Sequence, residues 1–123
     1  MRFVVVAFAL GFPFISHAQG PEGERLLRAC GAVVKEQDGL KVPDHEAIES
    51  LWCIGYVGGF LDSMSITQSS GGGRQRVCLP QQGVSNEQAI RILVKYLREN
   101  PQTLHATGRM SLYIALAKAF PCR

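Results

Sequence analysis

The chain has 123 residues, with 13 lysines and arginines against 10 acids and a net charge of +3. Charge this evenly mixed lacks the basic stripe of a nucleic-acid binder, and the length suits one small domain. A core of that size is marginal on its own, so covalent staples are expected.

The first residues read as a targeting segment. Arg2 is a short basic start, and Phe3 to Ile15 is an apolar run broken only by Gly11 and Pro13. Ser16-His17-Ala18 then matches a small-x-small cleavage site, so a signal peptide over residues 1–18 is expected, with cleavage after Ala18. The run falls short of the roughly 20 apolar residues that span a bilayer. The mature domain is then 19–123, and it is expected to be free of the membrane once cleaved.

From Glu22 to Asp38, Leu26, Leu27, Cys30, Val33 and Val34 recur at helical spacing between charged residues. Gly39 ends this first helix, as glycine does just past a helix C-terminus. Asp44 is the expected N-cap of a second helix, His45 to Thr67. Within it, at about 100° per residue, Cys53, Val57, Phe60, Leu61 and Met64 share one side. Gly55, Gly58, Gly59 and Asp62 fall opposite. Each glycine costs roughly 1 kcal/mol in a helix, so close approach of another backbone is the expected compensation. That predicts a central helix touched on both sides.

Gln68 to Gly73 cannot hold regular structure, and Arg74-Gln75-Arg76 follow. Ser69 to Arg76 is therefore expected to be a flexible basic protrusion tethered at Cys78. Ser85-Asn86-Glu87-Gln88 is a capping box opening a third helix, with Ile90, Leu93, Val94 and Leu97 on one face. Asn100-Pro101 is expected to open a fourth, with Leu104, Met110, Leu112, Leu116, Ala119 and Phe120 facing the core. Thr107-Gly108 is a candidate interruption. No period-2 strand is evident. The fold class is all-α: four helices in two antiparallel hairpins.

Four cysteines, Cys30, Cys53, Cys78 and Cys122, follow the signal, and none forms a CxxC pair. An even count in a short exported chain implies two disulfides. Cys30 and Cys53 lie almost equally far from the turn centre near Lys41, so an antiparallel hairpin makes them face each other. The second hairpin brings Cys122 beside Cys78. The pairing Cys30–Cys53 with Cys78–Cys122 is thus favoured over the other two connectivities.

Chemistry is sparse. The mature chain has two histidines, His45 and His105, far apart and each read as a surface or cap residue. No HExxH, GxSxG or phosphate loop occurs, and with the cysteines bridged no thiol nucleophile remains. No cofactor, metal site or enzyme activity is expected. Asp62 is read as bonded to backbone or arginine, or else as a partner contact. Ser69, Ser70, Arg74, Gln75 and Arg76 are the candidate partner-binding residues, because long loops in compact domains often carry function.

Cys53, Gly55-Tyr56, Gly59 and Asp62, followed by Cys78-Leu79-Pro80, resemble the Rap1a/Tai family. So do Val94, Tyr96-Leu97, Pro101, His105 and the ending Ala115-Leu116 to Phe120-Pro121-Cys122. The resemblance spans about Cys30 to Cys122, and Gly55, Tyr56, Gly59, Asp62 and Pro80 form its structural motif. It implies a periplasmic immunity protein of the type VI secretion system. Such proteins bind a peptidoglycan amidase toxin and occlude its cysteine-histidine cleft, often as homodimers. The rival readings are a small periplasmic chaperone or acid-stress protein, and a structural subunit of an envelope complex.

Overall fold

The computed structural model describes residues 22–71 and 75–123. The expected signal peptide and cleavage site lie outside the described residues, as do Gly72, Gly73 and Arg74. Four helices make the domain: α1 (Glu22–Gln37), α2 (Asp44–Ser69), α3 (Asn86–Glu99) and α4 (Gly108–Ala119). Among the described residues there is no strand, only an isolated antiparallel bridge between Val77 and Pro121. The all-α expectation holds.

Both predicted disulfides are present. Cys30 and Cys53 join α1 to α2 with Cα atoms 5.3 Å apart. Cys78 and Cys122 join the segment before α3 to the end of α4, with Cα atoms 5.0 Å apart. The first pair is wholly buried, whereas Cys78 is exposed. Cys30 packs in one core with Leu26, Ile90, Leu93, Leu97, Leu112 and Leu116, all essentially inaccessible. Each such side chain stabilises by roughly 1.5–3 kcal/mol on burial.

The hub of this core is α1, not α2. The first helix packs on all three others, while α2 packs chiefly on α1 and α3. Of the 26 residues of α2, only Ser50, Cys53 and Val57 are buried. The expectation that its glycine side is covered is overturned. A Cβ built on Gly55 or Gly59 meets nothing within 4 Å, and only Gly58 has a neighbour, Asn86 Nδ2 at 3.5 Å from the built Cβ. That Asn86 amide donates to the Ile54 carbonyl at 2.9 Å. Glycine permits close approach but does not supply the approaching element. Gly55→Ala is therefore expected to stabilise the folded monomer by roughly 0.5–1 kcal/mol, read as a higher midpoint in dilute urea titration.

Helix ends explain where the sequence reading and the structure part. Gly39 does close α1: at φ +79° it lets Leu40 N–H donate to Lys35 O and Gly39 N–H to Glu36 O, a Schellman pattern. Asp44 is not the cap of α2; Pro43 takes that place without a side-chain bond. The helix also runs past Thr67 to Ser69. There Ser65, Thr67, Ser69 and Ser70 each donate a hydroxyl to the carbonyl four residues back, so hydroxyl groups that usually compete with helix satisfy it here. At α3, the Ser85 hydroxyl accepts from Gln88 N–H as expected.

The fourth helix begins at Gly108, not Pro101. Asn100 turns back instead, donating its amide to the Tyr96 carbonyl at the end of α3, and Pro101–Thr103 forms a single 3₁₀ turn. Met110, placed on the core stripe, is half exposed, and Ala119 is exposed. The start of α4 is held from afar: Gly108 N–H donates to Glu22 Oε2 at 2.6 Å. A carboxylate at a helix N-terminus is favourable because orphan amides and the dipole meet it.

Two exposed ion pairs lock α1 to α2, Arg28–Glu49 at 2.9 Å and Lys35–Glu46 at 3.1 Å. The hydrogen bond from Arg28 holds the Glu49 carboxyl below the ordinary carboxylate range. That contribution is present at neutral pH and fades as pH falls through the lowered value. At this exposure it stays within a few tenths of a kcal/mol.

Candidate functional site

The far end of α2, the segment Gln75–Val77 and the middle of α4 enclose a cleft of about 270 Å³. Ser63, Met64, Thr67 and Gln68 come from α2, and Tyr113 comes from α4. Gln75 and Arg76 form the outer lip, both exposed. Among the described residues Arg76 has no ion-pair partner, so its charge is available at the lip.

Three attachments hold the lip in place. Val77 is buried at 2 % exposure and its carbonyl accepts from Gln68 Nε2 at 3.2 Å. Cys78 N–H donates to Phe120 O at 2.9 Å. The Cys78–Cys122 bridge then fixes the strand of chain covalently. On the other side, Ser70 caps α2 and Gly71 turns away at φ +66°, a conformation glycine adopts without strain. The tethered far end expected from the sequence is thus real, and its anchor includes hydrogen bonds as well as the disulfide.

The expected binding residues divide. Gln75 and Arg76 line the cleft. Ser69 and Ser70 do not belong to a loop: Ser69 is the last helical residue and Ser70 its cap, both with hydroxyls turned back to the backbone. Arg74 lies outside the described residues. Tyr113 was missed because a cleft partner supplied by a helix so distant in sequence leaves no local signal, and Gln68 because it was read as irregular chain when it is the penultimate residue of α2.

The motif residues occupy three places. Tyr56 is half-buried, its ring 5.2 Å from that of Trp52, with its hydroxyl against Gly108. Burial, and then the nearby Glu22 charge, push its phenol up from the ordinary value. Gly55, Gly59 and Asp62 are exposed on the outer side of α2. Pro80 opens a turn, its carbonyl accepting from Gly83 N–H at 2.8 Å. His45 and His105 are both exposed and stand on different elements, the first turn of α2 and the segment after the 3₁₀ turn. Among the described residues no group of three or more His, Cys, Asp or Glu is placed to hold a metal ion.

No curated protein and no solved structure matches the chain. A family model does, over residues 22–122, from the first turn of α1 to the second cysteine of the terminal bridge. That span takes in all four helices, both disulfides and the cleft. The chain belongs to the Rap1a immunity protein family.

Proposed function

We propose that the mature chain is a periplasmic immunity protein that binds a type VI secretion peptidoglycan amidase and occludes its active cleft. The observation that carries this reading is the family match over residues 22–122. The apolar N-terminal run and the pairing of all cysteines favour an exported, oxidising setting. The mechanism is steric: a stapled scaffold offers the lip at Gln75 and Arg76, and the cleft beneath it, to a complementary surface. A pre-ordered lip loses little conformational entropy on binding. The chain also pairs with itself in this reading, as a homodimer, and it turns over no substrate.

Deleting Gly71 to Arg76 tests the lip. The variant is expected to keep its helical circular dichroism and to bind the amidase at least about tenfold more weakly by titration calorimetry, a loss of about 1.4 kcal/mol. Unchanged affinity removes the lip from the mechanism. Absence of any amidase in a pull-down from the same cells, together with no protection against one, removes the mechanism itself.

A further inference from the structure

The two disulfides sit in different parts of the fold. Cys30–Cys53 lies inside the core, where both residues are inaccessible. Cys78–Cys122 lies outside it: Cys78 is exposed, Cys122 is partly buried, and neither belongs to the buried cluster. Exchange requires a thiolate to reach a sulfur, so a reductant meets the outer bridge first.

The core is built without that bridge. Leu112, Ala115 and Leu116 bury α4 in the cluster, and the Glu22 carboxylate holds its first turn through Gly108 N–H. The third helix packs on α1, α2 and α4. These contacts persist whatever the state of Cys78 and Cys122.

The lip is another matter. Arg76 is followed at once by Val77 and Cys78. Val77 makes an isolated antiparallel bridge with Pro121, Cys78 N–H donates to Phe120 O, and Cys78 is joined to Cys122. All three ties run to residues 120–122, the tail that follows α4. The bridge is thus a covalent clasp between the lip and the tail. Two further ties are the buried Val77 side chain and the Gln68 Nε2 bond to the Val77 carbonyl. With the clasp open, what remains is one side chain, one bond from a flexible amide, and a lone pairing of two short stretches. Such a pairing is marginal in water.

We infer that Cys78–Cys122 is a redox clasp that controls the lip, separate from the inner bridge that holds the fold. Closed, it keeps Gln75 and Arg76 over the cleft. Opened by a thiol reductant, it lets lip and tail part while the four helices stay. The chemistry is ordinary exchange. A thiolate attacks the Cys78 sulfur, the S–S bond breaks, and Cys122 leaves as a thiolate that takes a proton from solvent. A second thiol then displaces the first from Cys78, so two thiols become one disulfide and the chain gains two S–H groups. The inference rests on the reading of the lip as the effector contact, and adds its regulation. A freed lip must be ordered again on binding, which costs affinity.

Trypsin reads the clasp without any effector. In the closed form the peptide bond between Arg76 and Val77 is shielded, because Val77 is buried and its carbonyl is bonded. The mature chain is treated with graded dithiothreitol, alkylated with iodoacetamide, freed of reagent and pulsed with trypsin. Mass spectrometry then follows cleavage after Arg76. With the outer bridge open and the inner one intact, cleavage should quicken at least about tenfold, since proteolysis tracks the open population. Circular dichroism should not change. The Cys78→Ser, Cys122→Ser double variant should cleave as fast with no reductant. Unchanged cleavage in the opened chain overturns the clasp. Loss of the helical signal at the same step overturns it too, because the bridge would then be holding the fold. Titration calorimetry with the amidase completes the test: the opened form should bind at least about tenfold more weakly. Equal binding by both forms overturns the control and leaves the immunity reading standing. Binding by neither form overturns that reading, and the control with it.

Discussion

Replacing Cys30 and Cys53 together by alanine is expected to lower the unfolding free energy by about 3–5 kcal/mol. The bridge closes a separation of 23 residues, for which the chain-entropy relation gives about 3.5 kcal/mol. Both sulfurs sit in the core at 0 % exposure, so alanine also leaves a cavity that the packed neighbours fill only partly. A domain of this class holds only about 5–15 kcal/mol in total. Urea unfolding followed by circular dichroism should therefore show a midpoint near zero denaturant, or a chain already unfolded at 37 °C. The outer bridge is the control. Cys78–Cys122 spans 44 residues, an entropic effect of about 4 kcal/mol, but Cys78 is exposed and its removal opens no core cavity. Mild reductant should open the outer bridge first and leave the helical signal in place. Equal sensitivity of the two bridges would contradict this account of their burial.

Gly23→Ala is expected to destabilise by at least about 2–3 kcal/mol, the upper range for overpacking. Gly23 is buried in the first turn of α1. A Cβ there would lie 2.9 Å from the Leu104 carbonyl carbon and Cα and closer still to the carbonyl oxygen. All three are backbone atoms, so no rotamer change relieves the contact; the 3₁₀ segment must move. Gly108→Ala makes the sharper comparison. Its Cβ would meet the ends of two side chains, Leu26 Cδ1 and Tyr56 Oη, each at 2.7 Å. Those can shift, so the cost should be smaller, about 1–2 kcal/mol. Thermal melts of G23A, G108A and G55A should then rank from large loss through modest loss to gain. Helix propensity alone predicts a gain for all three, so the order isolates tertiary contact.

These glycines also show how far the sequence could be read. Gly39 carried its meaning locally: the turn that needs positive φ is closed by its own N–H and that of Leu40. Ser85 did the same through an amide three residues on, and the cysteine pairing followed from hairpin geometry. The glycines of α2 could not be read that way. A smooth face says that something is able to approach, and only the fold shows that, within one monomer, almost nothing does. The start of α4 was hidden for a related reason. Asn100-Pro101 has every local mark of a helix start, yet the carboxylate that caps the helix is Glu22, at the other end of the domain. The candidate cleft was half legible: Gln75 and Arg76 stand in a stretch without periodicity, while Tyr113 reaches them from the last helix.

The order of the bridges has a consequence for how the protein matures. Each cysteine is joined to the next along the chain, Cys30 to Cys53 and Cys78 to Cys122. A thiol oxidised in chain order thus meets its native mate first, and disulfide shuffling by an isomerase is not required. The inner bridge needs only α1 and α2, so it can close before α3 and α4 are in place. The outer one waits for Cys122, past the end of α4, so it closes only once all four helices are available.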